Sequence, residues 1–185
     1  MDRLIPSTSV LMVIDVQDRL ASVVEEDAIQ RVVQTSDRLL QCARTLKVPV
    51  CATEQNPKRL GRTVEPLKAH LDALSVTPIA KMAFDACDEP LFVSRLHALR
   101  CRSIVMVGLE THICIFQTAR ELVRRGYAVY VVADGVASRA ENHRLLGLSL
   151  CETAGAFVAP AETIAFDWLR EAGTDCFRSV AHLFK

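Results

Sequence analysis

The chain has 185 residues, half of them hydrophobic, which is enough for one domain with a single sizeable core. Lys plus Arg and Asp plus Glu each number 22, so the formal net charge is zero, and charge gives no reason to expect nucleic acid or an anionic membrane surface as partner. No apolar run reaches bilayer-spanning length, residues 1–6 lack a signal-peptide pattern, and the seven cysteines are odd in number with no CxxC pair. The expectation is a cytoplasmic protein with free thiols rather than a disulfide framework or a zinc ribbon.

In chain order, residues 10–14 form the first short, continuously apolar run, as expected of a strand covered on both faces. Residues 28–46 follow with Ile29, Val32, Val33, Leu39, Leu40, Ala43 and Leu46 at helical spacing. A second strand is expected at 48–52, then a stretch without regular pattern from 54 to 66 that holds Asn56-Pro57 and Gly61. Such a long connection is suited to a substrate-binding loop. Residues 76–80 are a weaker strand whose Pro78 argues for an edge. Helix 89–99 has Pro90 near its start, strand 103–107 precedes helix 113–125, and Gly126 stops that helix. Strand 128–133, helix 141–153, a short strand near 155–158 and helix 162–172, ended by Gly173, complete the pattern. Strands alternating with helices imply βαβ units, a parallel sheet and one α/β domain over 1–185. The tail from 177 to 184 has apolar residues at helical spacing that fit either its own core or a neighbour.

In open α/β sheets, ligands bind beyond the carboxyl ends of the strands. The first strand ends in Asp15, the weak third in Lys81, the second in Thr53-Glu54-Gln55, and the fifth in Asp134. The fourth leads through Gly108-Leu109-Glu110-Thr111-His112-Ile113 to Cys114. Cys114 falls in the first turn of an expected helix, with Thr111 as candidate N-cap, where unpaired N–H groups and a nearby cation lower a thiol pKa. On position alone, a nucleophile and a small buried thiol fit Cys114 equally. Asp15 alone reads as a turn residue, and Lys81 alone as a solvated lysine. Gathered at one rim with a thiol, they are costly unless they pair with one another. His112 offers a competing Cys–His dyad, but it lies two residues before Cys114 in a tight turn, which points the side chains apart.

Three segments together carry a resemblance. Val13-Ile14-Asp15-Val16-Gln17-Asp18 is similar to the opening strand motif of isochorismatase-like cysteine hydrolases, Lys81-Met82-Ala83-Phe84 to their lysine segment, and residues 107–115 to their nucleophile turn. The order Asp, Lys, Cys agrees too, and the likeness runs to about Glu162. Thr53-Glu54-Gln55-Asn56-Pro57 with Leu60-Gly61 further resembles the isochorismatase-domain-containing subgroup. The resemblance implies a three-layer, doubly wound six-stranded parallel sheet, an Asp15–Lys81–Cys114 triad, a cis Leu109–Glu110 peptide, and a homo-oligomer acting on a small molecule. It implies hydrolysis of an amide or related C–N bond through a thioester. Asp15 would be the base, Lys81 would stabilise the ionised groups, and the N–H groups of Glu110 and Cys114 would form the oxyanion hole. Glu54, Gln55 and Phe84 are the candidate pocket-lining residues.

Two departures narrow the reading. Nicotinamidases of this superfamily carry metal-ligating histidines on the second-strand loop, and no histidine lies between Glu54 and Leu67, so no catalytic metal or cofactor is expected. True isochorismatases lack the nucleophilic cysteine. A haloacid-dehalogenase reading wants a second Asp where Gln17 stands, and a dinucleotide site wants GxGxxG after the first strand, which is missing. The alternative outside enzymology is a family member that keeps the triad but serves in binding or assembly. Selective alkylation of Cys114 near neutral pH would distinguish the two.

Overall fold

Both β1 (Ser9–Ile14) and β4 (Ser103–Leu109) bury every residue, which is why their sequences are continuous apolar runs rather than alternations. The computed structural model describes residues 3–185. With β2 (Val50–Gln55), β3 (Ile79–Lys81), β5 (Ala128–Ala137) and β6 (Phe157–Ala159), these strands form one parallel six-stranded sheet in the order β3-β2-β1-β4-β5-β6. Successive side chains point to opposite faces. Leu11, Val13, Val105, Val107 and Val132 pack under α2 (Glu26–Leu46) and α8 (Ala161–Leu169). Val10, Met12, Ile14, Ile104, Met106 and Val131 meet α5 (Pro90–Leu99), α6 (Phe116–Arg124) and α7 (Glu141–Thr153) on the other side. The fold is the expected three-layer α/β architecture, with the order of strands reversing at β1 and β4.

Several boundaries differ from the sequence expectation. β2 runs to Gln55, so Thr53, Glu54 and Gln55 belong to the strand. β5 continues through Asp134 to Ala137, because the ladder to β4 resumes after a register shift between Met106 and Gly108. Asp134 therefore does not end its strand, and its carboxylate instead accepts the Ala161 N–H at 2.8 Å, at the start of α8. Pro78 lies just before β3, at the sheet edge. The 54–66 connection contains α3 (Pro57–Leu60), and Gln17 bridges to Thr63 across it. α1 (Asp18–Ala21) and α4 (Leu67–Ala73) are too short for periodicity to reveal. α8 ends at Leu169, its last buried residue, rather than near Gly173.

The tail folds onto its own domain. In α9 (Asp175–Ala181) Val180 is fully buried, and Phe177, Leu183 and Phe184 pack against the α2–α8 side of the core. Phe166 meets the rings of Phe177 and Phe184 edge-on. Among the described residues no helix is long and apolar enough to cross a membrane.

Candidate active site

Lys81, the last residue of β3, is in register with Gln55 on β2, whereas Asp15 follows β1, one strand further on. Two strand spacings are about 10 Å, a gap that only a long side chain bridges. Lys81 does so: Nζ lies 2.7 Å from Asp15 Oδ2, and neither side chain is exposed to solvent. Nζ also donates to Gln55 Oε1 at 2.6 Å and to the carbonyls of Ala83 and Phe84 at 3.2 Å. A buried ammonium is tolerable because its donors are satisfied in this way. Asp15 adopts a left-handed conformation (φ 52), accepts Thr53 Oγ1 on Oδ1 at 2.7 Å, and takes no further conventional hydrogen bond on Oδ2.

Cys114 completes the group from the β4 side, with its thiol close enough to Asp15 and Lys81 for both to act on it. It lies in one π-helical turn, Thr111–Ile115, ahead of α6, and is 5 % exposed. Burial, reinforced by the Asp15 carboxylate and opposed by the Lys81 ammonium, pushes its pKa up to about 12. The expected lowering is thus overturned, because desolvation outweighs the cation and the helix end. Burial also pushes Cys42 and Cys151 up to about 12 and Cys51 to about 11, so titration does not single Cys114 out. Its acid and ammonium neighbours do. Thr111 is not the N-cap: that position is Glu110, and the buried Thr111 hydroxyl has no partner among the described residues.

The turn carrying Cys114 is held from three sides. The Leu109–Glu110 peptide is cis, and Gly108 (φ +127) lies so close to β1 that a Cβ there would sit 1.9 Å from the Ile14 carbonyl oxygen. On α7, a Cβ at Gly147 would come within 2.7 Å of the His112 nitrogen. Glu110 Oε1 accepts the backbone N–H of Arg139 at 3.0 Å and its Nε at 2.9 Å. His112 Nδ1 lies 3.0 Å from Ser138 Oγ, and its ring is 4.7 Å from that of His143, so its partners lie elsewhere than Cys114.

The three candidate lining residues each have partners near the rim. Gln55 is buried and holds Lys81, donating through Nε2 to the Met82 carbonyl at 2.8 Å. Glu54 accepts the N–H and hydroxyl of Thr63 at 2.8 and 2.9 Å, pinning the loop. Phe84 contributes its carbonyl to Lys81 while its side chain is exposed at the surface. Sequence reasoning missed Thr53 and Gln17. The Gln17 amide accepts the Gln55 N–H at 2.7 Å and donates to the carbonyls of Gln55 and Gly61 at 3.1 and 2.7 Å. The available signal was position, since both stand at strand ends beside residues already singled out. Among the described residues, no group of three or more His, Cys, Asp or Glu side chains is arranged to hold a metal ion.

Residues 9–163 match the model of the isochorismatase domain. The chain belongs to the isochorismatase family. Within it, isochorismatase domain-containing protein 2 of Bos taurus is 35% identical over 184 residues, which is 99% of this chain and 86% of the relative. The structure of a MAR1 ribonuclease from Caenorhabditis elegans superposes with a TM-score of 0.91 at 34% identity, covering 98% of this chain and 92% of the other. The YcaC gene product of Escherichia coli, described as an octameric hydrolase of unknown specificity, superposes at 0.89 with 24% identity, covering 98% and 89% of the two chains, and shares the fold. Membership of this family supports a hydrolase.

Proposed function

We propose that this isochorismatase-family hydrolase cleaves an amide or related C–N bond of a small molecule through a thioester on Cys114. The observation that carries the reading is the water-excluded Asp15–Lys81 pair, 2.7 Å apart, beside the Cys114 thiol. Because the thiol is neutral at rest, its proton leaves only as attack begins. Asp15 takes it while Sγ bonds to the carbonyl carbon, and the backbone N–H groups of Glu110 and Cys114 hold the oxyanion. Collapse breaks the C–N bond, and Asp15 returns the proton to the departing amine. Water then adds to the thioester, giving its proton to Asp15, and the thiol is reprotonated as the acid leaves. Lys81, 2.7 Å from Oδ2, holds the Asp15 carboxyl in place and offsets its charge.

Cys114→Ala tests this directly. Turnover of small amides should vanish, with no acyl adduct by mass spectrometry and an unchanged melting curve. Retained turnover in that variant would remove the covalent mechanism, and wild-type inertness towards an amide library would favour a binding role. The ribonuclease neighbour supplies a second reading, cleavage of RNA. A thiol acyl-transfer site and a net charge of zero do not favour it, and an RNA assay of wild type beside Cys114→Ala decides. The free thiols suit a reducing cytoplasm. The exposed Leu145, Leu146 and Leu150 on α7 suit self-association, which light scattering would read as a mass above that of one chain.

A further inference from the structure

Three hydrogen bonds leave the Lys81 ammonium, and none of them goes to Asp15. Nζ donates to Gln55 Oε1 at 2.6 Å and to the Ala83 and Phe84 carbonyls at 3.2 Å, which uses its three hydrogens. Asp15 Oδ2 stands 2.7 Å from Nζ, yet it is fully buried and has no hydrogen-bond partner among the described residues. The two charges attract, while an acceptor position on the carboxylate stays open. An open acceptor cut off from water is unusual, and this one lies close enough to the Cys114 thiol for the two to act on each other.

The oxygen that completes the ammonium's set is held from behind. Gln55 Nε2 donates to the Met82 carbonyl at 2.8 Å, so turning this amide over would set its NH2 against the ammonium and its oxygen against a carbonyl. Gln17 in turn does with its side chain what β1 no longer does with its backbone, since β1 ends at Ile14, opposite Thr53. Its Oε1 accepts the Gln55 N–H at 2.7 Å, and its Nε2 donates to the carbonyls of Gln55 at 3.1 Å and Gly61 at 2.7 Å. Both hydrogens of that amide are used, and Gln17 is fully buried.

We propose, on the hydrolase reading of Cys114, that Gln55 is a positioning residue for proton transfer and that Gln17 acts through it: by taking the third hydrogen of the ammonium, Gln55 keeps Asp15 Oδ2 free to receive the thiol proton. On attack the Sγ–H bond breaks, an Oδ2–H bond forms and sulfur bonds to the carbonyl carbon, while Lys81 keeps all three hydrogens. Without the Gln55 oxygen, the freed N–H turns to the nearest remaining acceptor, Oδ2, and closes the position that the proton needs.

NMR of the full chain carrying 13C at the lysine Cε positions tests the arrangement without any substrate. Lys81 is buried, whereas Lys47, Lys58, Lys68 and Lys185 are not, so its signal should stand apart. Gln55→Leu should displace that signal, and Gln17→Leu should displace it in the same direction by less. The double variant should move it no further than Gln55→Leu alone, because Gln17 then has no amide side chain to hold in place. Thr63→Ala, which loosens the same connection at Glu54, should leave the signal where it is. An unmoved signal in Gln55→Leu, additive displacements in the double variant, or an equal displacement in Thr63→Ala overturns the arrangement. On an amide that the wild type hydrolyses, Gln55→Leu should lower kcat about tenfold or more with KM nearly unchanged. Full kcat in that variant overturns the role in proton transfer. A wild type that hydrolyses no amide removes the hydrolase reading and that role with it, whereas the spectra still show whether the two amides hold Lys81. Melting curves check folding, and Gln55→Asn, which withdraws the acceptor by one methylene, should displace the signal too should Gln55→Leu prove unstable.

Discussion

Lys81 is the residue on which the site depends most. With Asp15 and Lys81 both removed from water, truncating one strands the other, which costs about 3–5 kcal/mol. Urea unfolding of Lys81→Ala should show a loss of that size, and adding Asp15→Asn should recover part of it. Equal stability of wild type and Lys81→Ala would mean that the pair is not buried. Thr53 acts through Asp15: Thr53→Val removes a hydrogen bond to the carboxylate and should lower kcat about tenfold, whereas Thr53→Ser restores it. The thiol carries its own prediction. With its pKa near 12, Cys114 holds little thiolate at neutral pH, so iodoacetamide should label exposed Cys176 first and reach Cys114 only as pH rises. Prompt labelling of Cys114 at pH 7 would contradict the burial that raises its pKa. With the thiol buried, alkylation near neutral pH does not separate the enzymatic reading from the binding one.

At the scale of elements, the turn carrying Cys114 is shaped by neighbours distant in sequence. Gly147 lets α7 approach the His112 backbone, and a methyl group there must push the turn away. Gly147→Ala should therefore lose most of its activity and about 1–3 kcal/mol of stability, measured by turnover and thermal melting side by side. Gly126→Ala is the control, because its Cβ would meet nothing within 4 Å. That variant should keep full activity despite some backbone strain at φ +88. The long elements were legible: α2 and α7 follow from spacing, and β1 and β4 from apolar runs. The short α1, α3 and α4 were not, since four to seven residues show no usable period. The extension of β5 past Asp134 depends on a ladder to β4 that no local pattern encodes.

For the whole molecule, the buried thiols couple folding to alkaline pH. Cys42, Cys114 and Cys151 are held near 12 and Cys51 near 11, against 9.0 when exposed. A raised folded pKa means that the stabilisation is complete below about pH 9 and is lost as pH climbs towards 12, because only the unfolded chain sheds these protons in that window. Each thiol should remove on the order of 1 kcal/mol by pH 10. The melting temperature should fall clearly between pH 7.5 and pH 10, and less steeply in Cys42→Ala. A flat profile would show that the thiols are not desolvated.

The sequence by itself determined the α/β class, the parallel sheet and the ends of strands at which chemistry-bearing residues stand, because periodicity and strand termini are local properties of the chain. Only the tertiary structure decided that Lys81 crosses β2 to reach Asp15, that Gln55 braces Lys81, and that burial raises the pKa of the Cys114 thiol. Desolvation and ion pairing depend on what surrounds a group in space, and those surroundings come from segments tens of residues apart.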